Sequence, residues 1–233
     1  MGIVKSLFSG IAHLFYPRIC AVCNTDLIEA ERVICLSCLY QMPLTRFWTQ
    51  VDNPVAQTFW GRVEVENACA YFFFAKGSKY RPLLHQLKYK GKREIGVELG
   101  LVFGQVLAKS DLYKGIDYVV PVPLHPKKLR IRGYNQAEAI AEGLAKSMDS
   151  KLSTKHLVRK EFTQTQTRKS RAERVKNVAE AFGLNCSGEL KGKHLLLVDD
   201  VITTGATLEA CAARLLTIEG CRVSVAALAY ANI

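Results

Sequence analysis

The chain has 233 residues, of which 49% are hydrophobic and 23% are charged; this is the balance of an ordinary globular protein and excludes a disordered one. Its length corresponds to one or two domains. No apolar run reaches the roughly 18 residues that a membrane-spanning helix needs, and no secretory signal with a small-residue cleavage site is present. We therefore expect a cytoplasmic protein without a transmembrane segment.

The positive charge is concentrated in three stretches. Lysine and arginine total 32 against 21 acidic residues, which gives a net charge of +11. Residues 76–93, 127–132 and 151–176 together carry +18, so the rest of the chain is net negative. Positive charge placed in this way attracts anions and speeds their arrival. The alternative is a set of solvated loops without a partner.

Four of the eight cysteines form two Cys-x-x-Cys knuckles, Cys20/Cys23 and Cys35/Cys38, separated by eleven residues. Four thiolates at this spacing can close a tetrahedral shell around a structural zinc ion. Disulfides or a redox pair are the alternatives, although a cytosolic setting disfavours disulfides and no thioredoxin-like unit surrounds the knuckles. The other cysteines lie in apolar stretches and are predicted to be small core residues: Cys69, Cys186, Cys211 and Cys221.

Two further segments have helical patterns. The apolar spacing over residues 2–15 predicts an amphipathic helix, which packs on its own domain or contacts a membrane surface or a partner. Gly96, Gly100 and Gly104 repeat at four-residue spacing within an apolar run and indicate a helix that packs closely through a smooth face.

The segment from His194 to Tyr230 combines a strand, two acids, a loop of small residues and a helix. The apolar run His194–Val198 predicts a buried parallel strand, and Asp199 and Asp200 follow it. A helical stripe begins at Leu208, after a loop whose free N–H groups at the helix N-terminus suit a phosphate. Carboxylates at the end of a strand suit hydroxyl groups better than phosphate, and a sugar phosphate offers both.

The run Val198–Thr207 resembles the phosphoribosyl-pyrophosphate (PRPP) binding motif of type I phosphoribosyltransferases. The resemblance implies their α/β fold, with a mostly parallel sheet flanked by helices. It also implies that Asp199 and Asp200 hold the ribose 2′- and 3′-hydroxyls. The 5′-phosphate would be held by the residues of the loop: Thr203, Thr204, Gly205, Ala206 and Thr207.

A second strand and helix precede this unit. Residues 117–120 read as a core strand, and a helical stripe begins at Ala137. The string from Pro121 to Gln136 resembles the ComF (competence protein F) family, as do the knuckles and the motifs within residues 166–177. By the resemblance to type I phosphoribosyltransferases, Leu124 and His125, which follow the strand, contact pyrophosphate together with nearby backbone N–H groups.

Residues 163–176 lie where phosphoribosyltransferases carry a loop that closes over the reacting sugar. By resemblance Arg168, Lys169 and Arg171 would stabilise the leaving pyrophosphate, and Mg²⁺ would bridge pyrophosphate oxygens and ribose hydroxyls. A solvent-exposed loop that runs into a helix is an equal alternative.

We expect an N-terminal helix and zinc module over residues 1–42, a connecting segment over 43–65, and a phosphoribosyltransferase-like domain over 66–233. Within this last domain, Phe72–Phe74 are predicted to form a buried strand. The resemblance implies a PRPP-binding protein that takes part in DNA uptake with other uptake proteins, with an unidentified acceptor. The alternatives are a PRPP sensor without turnover and a protein that binds single-stranded DNA on the three basic stretches. Isolated tyrosines could stack bases or simply pack: Tyr80, Tyr89 and Tyr134.

Overall fold

The computed structural model describes residues 18–75, 77–160, 181–185 and 187–231. Three predicted features lie outside the described residues: the helix over 2–15, the lid over 163–176 with Arg168, Lys169 and Arg171, and the environment of Cys186.

A five-stranded parallel sheet forms the centre of the fold, with strand order β1-β7-β6-β2-β3. A separate antiparallel pair joins β4 and β5. The strands are β1 Ala68–Phe74, β2 Tyr118–Pro121, β3 Lys151–Leu152, β4 Leu157–Arg159, β5 Phe182–Leu184, β6 His194–Ile202 and β7 Arg222–Ala231. Because the main sheet is parallel throughout and helices connect its strands, the predicted α/β class is confirmed.

The helices are α1 Leu36–Tyr40, α2 Pro54–Gln57, α3 Arg81–Tyr89, α4 Arg93–Ala108, α5 Pro126–Arg132, α6 Gln136–Ser147 and α7 Ala206–Leu215, with short 3₁₀ turns at Phe47–Thr49, Asp111–Tyr113 and Ser187–Leu190. Helices α4 and α6 pack at close range, because a Cβ on Gly100 would lie 2.2 Å from the carbonyl oxygen of Ile140. The predicted smooth helix face is therefore confirmed. No helix in the described ranges combines the length and the apolar character that crossing a bilayer requires.

Strand β6 is longer than the sequence predicts. It continues past Val198 to Ile202, so the two acids lie within the strand rather than after it. The reason is β7, whose ten residues extend the pairing until Ile202 meets Tyr230. At the other end of the unit, α7 stops at Leu215.

Strand β1 differs from the fully buried strand that we expected over Phe72–Phe74. Phe72 is buried, but Phe73 is 38% exposed, because β1 lies at the edge of the sheet. The chain around residue 44 runs along this edge: the Phe73 N–H donates to the Pro43 carbonyl over 2.8 Å, and Thr45 N–H donates to Tyr71 over 3.0 Å. Part of the predicted connecting segment thus covers the free edge of the sheet.

Candidate functional site

The paired acids lie at the carboxyl-terminal half of the central strand β6. Val198 pairs with Pro121, the last residue of β2, so the loop after β2 leaves the sheet at the same edge as the acids. The Asp200 N–H donates to the Asp199 carboxylate over 2.8 Å. This edge is where open α/β sheets bind their ligands.

The carboxyl group of Asp199 has a pKa above that of an ordinary aspartate. Burial and the charge of Asp200 together raise its pKa to about 7, whereas the hydrogen bond from the Asp200 N–H and the charges of Lys88 and Arg159 act in the opposite direction. Near neutral pH this group therefore exists in both protonation states. A ligand that needs two acceptor carboxylates must bind the ionised form.

The loop Thr203–Gly205 connects β6 to α7 and borders a pocket of about 250 Å³. Gly205 has φ +71° and directly precedes the first residue of α7, so the chain turns sharply here into the helix. The pocket is lined by Asp199 and residues 201–208. The structure thus brings together the predicted hydroxyl-binding acid and the whole predicted phosphate-binding loop.

Arg62 supports this loop from outside the motif. Its guanidinium donates to the Thr204 carbonyl over 3.1 Å and to the Thr58 carbonyl over 3.0 Å, and it forms an ion pair with Glu209 in the first turn of α7. Sequence analysis missed Arg62, because nothing in its own neighbourhood resembles a site.

Lys88 is the second residue that sequence analysis did not place. It is the penultimate residue of α3, and its Nζ lies 3.0 Å from Oδ2 of Asp200. Lys88 belongs to the basic stretch 76–93, and this stretch was the only sequence feature that pointed to it. The stretch did not indicate which of its lysines would pair with an acidic residue.

Side-chain hydrogen bonds to backbone groups hold the residues after β2. His125 precedes α5, and its Nδ1 accepts the Lys127 N–H over 3.1 Å. The amide of Asn135, which begins α6, donates to the Val122 carbonyl over 3.0 Å. Leu124 and His125 are both half-buried beside the edge that carries the acids. Their contact with pyrophosphate stays a prediction.

The basic stretches differ in whether their side chains form ion pairs with acidic residues. In the first, Lys88 pairs with Asp200 and Arg93 pairs with Glu142. In the second, residues 127–132 belong to helix α5, and none of the helix is buried. Ile131, between two of its arginines, is 83% exposed. Helix α5 therefore presents cationic and apolar groups to solvent.

The three tyrosines that could stack bases have different environments. Tyr80 is buried, and its hydroxyl donates to the Cys38 carbonyl over 2.8 Å. The Tyr134 hydroxyl donates to the Leu87 carbonyl. Only Tyr89 of these three is exposed, with the Arg132 guanidinium 5.2 Å from its ring centre. Packing accounts for Tyr80 and Tyr134.

The four knuckle cysteines form one cluster, in which all four sulfurs lie within 4.8 Å of one another. The Sγ atoms of Cys23 and Cys35 are 3.7 Å apart, and sulfurs about 2.3 Å from a tetrahedral zinc ion lie about 3.8 Å apart. The hydrogen bond from Thr25 lowers the pKa of Cys23 to about 6, which favours the thiolate. The cluster can therefore bind zinc.

Backbone N–H groups also point at the sulfurs. Cys20 Sγ accepts from Val22 and Cys35, each over 3.4 Å, and Cys35 Sγ accepts from Cys38 over 3.4 Å. Such bonds orient ligands and stabilise their charge. None of the cysteines in the described ranges forms a disulfide. Those outside the cluster are buried, as predicted: Cys69, Cys211 and Cys221.

Comparison with known proteins adds independent findings. Residues 133–233 match the phosphoribosyl transferase domain family. The DNA utilization protein YhgH of Escherichia coli (strain K12) is 31% identical over 138 residues, 58% of this chain and 60% of that protein. Competence protein F of Haemophilus influenzae is 38% identical over 91 residues, 39% of this chain and 40% of that protein. A hypoxanthine phosphoribosyltransferase of Staphylococcus aureus aligns over 59% of this chain and 64% of its own, at 17% identity and a TM-score of 0.37.

The chain thus spans about 60% of the length of the curated relatives named first. The domain match contains the paired acids, the loop and α7, and with the parallel sheet it identifies the type I phosphoribosyltransferase fold. The four-cysteine cluster lies outside that match and is a separate feature. Over part of its length the chain is therefore similar to proteins named DNA utilization protein and competence protein, and the four-cysteine cluster agrees with its resemblance to the ComF family.

Proposed function

We propose that the protein binds PRPP in the pocket that is lined by Asp199 and the loop 203–207, with Asp200 next to it in the strand. The observation that carries the proposal is the placement of Asp199 on the wall of a pocket whose other lining residues, 201–208, include a helix N-terminus. The free N–H groups there can donate hydrogen bonds to a phosphate, and the carboxylates can accept hydrogen bonds from ribose hydroxyls. PRPP carries both groups on one five-membered sugar.

The same site supports transfer of the phosphoribosyl group. In such a step the bond from C1 to pyrophosphate breaks with its electron pair on pyrophosphate, and a lone pair of the acceptor forms the new bond to C1. Asp199 and Asp200 would orient the ribose, while Arg168, Lys169 and Arg171 would stabilise the departing charge. Mg²⁺, when bound, supplies further neutralisation of pyrophosphate. The acceptor would be a nitrogenous base or a nucleic-acid component.

Calorimetric titration with PRPP and Mg²⁺ tests the proposal. We expect the Asp200→Asn variant to lose at least tenfold in affinity, because it loses a charged acceptor for a ribose hydroxyl. The matched control is Asp111→Asn, which removes a carboxylate that is 87% exposed and paired only with Lys114 among the described contacts. Equal affinity of Asp200→Asn and Asp111→Asn would refute the site.

A second candidate function is binding of single-stranded DNA in the cytoplasm during DNA uptake. Helix α5 favours it, because its four basic residues lie on an unburied helix beside the proposed PRPP site. PRPP carries about four to five negative charges, so the basic stretches exceed what that ligand needs. The names of the relatives, which concern DNA utilization and competence, point the same way.

Salt dependence of DNA binding tests this candidate. We expect the triple variant Lys127→Ala/Lys128→Ala/Arg130→Ala to weaken binding and to reduce the slope of log K against log salt by about 0.7 per lost phosphate contact. The control removes the same charge elsewhere, from surface lysines outside the three stretches: Lys109→Ala/Lys114→Ala/Lys191→Ala. If both triple variants bind alike, α5 is not the DNA surface. DNA binding unchanged by bound PRPP would place the two ligands on separate surfaces.

A further inference from the structure

The ion pair between Lys88 and Asp200 joins two parts of the chain that the domain match separates. Lys88 lies in α3, outside residues 133–233, whereas Asp200 lies inside. Nζ and Oδ2 are 3.0 Å apart, and the two side chains are only 24% and 14% exposed. An ion pair so sheltered from solvent is screened less than a surface pair and is more sensitive to the loss of one partner.

Helix α3 is fixed at several points, so Lys88 is not a freely moving side chain on a loop. At the N-terminal end, the Tyr80 hydroxyl donates to the Cys38 carbonyl over 2.8 Å. In the middle, the Gln86 amide donates to the Ala21 carbonyl over 2.9 Å. The first contact is to Cys38 of the four-cysteine cluster, and the second is to Ala21, which directly follows Cys20 of the same cluster. The four-cysteine module therefore holds the helix that carries Lys88.

We infer that Lys88 is a positioning residue of the phosphoribosyl site, which holds the Asp200 carboxylate in place for the incoming ribose. This inference rests on the proposed function. Its physical basis is that two adjacent carboxylates repel each other and repel a polyanionic ligand, and that a cation within 3.0 Å of one of them offsets both effects.

The surroundings of the acids define what Lys88 contributes. Among the described residues, the groups that interact with Asp199 are Asp200 on its own strand, Lys88 from α3, Arg159 from β4 and the buried thiol of Cys211 from α7. Lys88 and Arg159 are the cations of this set, and both lower the pKa of Asp199. Removal of Lys88 leaves only Arg159 of these two cations, so Asp199 then ionises at a higher pH.

Titration of the full chain with PRPP and Mg²⁺ from pH 6.5 to 8.5 tests the inference. We expect Lys88→Ala to weaken binding about tenfold at pH 7 and to move the rise of affinity with pH to higher pH. Lys88→Arg keeps the charge and should restore most of both. Lys90→Ala is the matched control, because it removes an exposed charge two residues away and should change the affinity less than twofold.

The outcomes separate the inference from the proposed function. If the unsubstituted chain does not bind PRPP, both fail. If it binds and Lys88→Ala binds equally well with the same pH profile, the inference fails and the proposed function stands. Weaker binding without a pH displacement, or without recovery in Lys88→Arg, means that Lys88 only packs the helix and also overturns the inference. Carbon-13 NMR of the Asp199 carboxyl in the ligand-free chain gives an independent readout: its titration should move to higher pH in Lys88→Ala.

Discussion

The four-cysteine cluster and the pocket beside the paired acids hold ionisable groups in opposite ways. In the cluster, four sulfurs face one another, three of the four cysteines are buried, and backbone N–H groups donate to the sulfurs of Cys20 and Cys35. In the pocket, Asp199 and Asp200 are half-buried at an open edge, and their counter-charges come from other elements.

The difference shows how a protein separates structural from exchangeable binding. Four sulfur ligands would complete a tetrahedral shell around a zinc ion and leave no position for a substrate, so a bound zinc ion would contribute to folding. The paired acids do not form a closed set of ligands around an ion, and burial contributes to raising the pKa of Asp199 to about 7. Their carboxylate oxygens can therefore still accept hydrogen bonds from a ligand. Each prediction below changes either the cysteine cluster or the pocket beside the acids, and its measurements show how far the effect is confined to that site.

The largest effect is expected from Cys35→Ser. Cys35 is buried, and its loss removes one of four zinc ligands from a module that has little core of its own. We expect zinc content to fall from one ion per chain to near zero and the free energy of unfolding of the module to fall by several kcal/mol. Metal analysis and hydrogen exchange over residues 18–42 measure both. Zinc retained at full occupancy would contradict the ligand assignment, and Cys221→Ala, a buried thiol outside the cluster, is the control.

A smaller effect, on the other side of the comparison, is expected from Gly205→Ala. The residue has φ +71°, and a Cβ there would lie 2.7 Å from Cγ2 of Thr58. We expect a loss of about 1–2 kcal/mol in stability, because L-residues disfavour this conformation, and a loss of PRPP affinity with unchanged zinc content. Gly188→Ala, at a glycine with no neighbour within 4 Å of the added Cβ, is the control. Equal melting temperatures for the two variants would show that the turn does not need glycine.

Asp199→Asn should affect ligand binding and stability in opposite directions. Since its pKa in the folded protein is raised above the unfolded value of 3.8 to about 7, the folded state binds more protons over that range. Stability therefore falls as pH rises from about 4 to 7 and stays lower above. At pH 8 the variant should lose PRPP binding and gain about 1 kcal/mol, a rise in Tm of roughly 2–4 °C, whereas at pH 4 it should gain little. Thermal melts at the two pH values measure this, and an equal gain at both would contradict the raised pKa.

Features that depend on contiguous residues could be predicted from the sequence. The knuckle spacing places four sulfurs together, and the strand, acids, loop and helix within residues 194–216 follow one another along the chain. Apolar periodicity and helix-terminus electrostatics act over a few residues, so they can be read locally. The α/β class and the loop that leads into α7 were therefore predictable.

Features that depend on tertiary contacts could not be predicted. The extension of β6 to Ile202 depends on the length of β7, which pairs alongside it. Arg62 meets Thr204 across 142 positions of sequence, and one lysine among seven basic residues in 76–93 meets Asp200. Neither contact has a local signature, because each depends on how α2 and α3 pack against the sheet.

The smallest effect is expected from Arg62→Ala, which tests whether the loop of the open site needs support from the segment before β1. The guanidinium is 39% exposed, so solvent screens its ion pair with Glu209 and the stability loss should stay below about 1 kcal/mol. The bond to the Thr204 carbonyl acts on the loop itself, so PRPP affinity should fall by about threefold with unchanged zinc content. Glu209→Gln removes the other half of the ion pair but leaves that bond, and should cost less affinity than Arg62→Ala. A double variant no weaker than Arg62→Ala would show that Glu209 acts only through Arg62. If Arg62→Ala binds PRPP as well as the unsubstituted chain does, the loop is held by Gly205 and α7 alone, and the open site is as self-contained as the cysteine cluster.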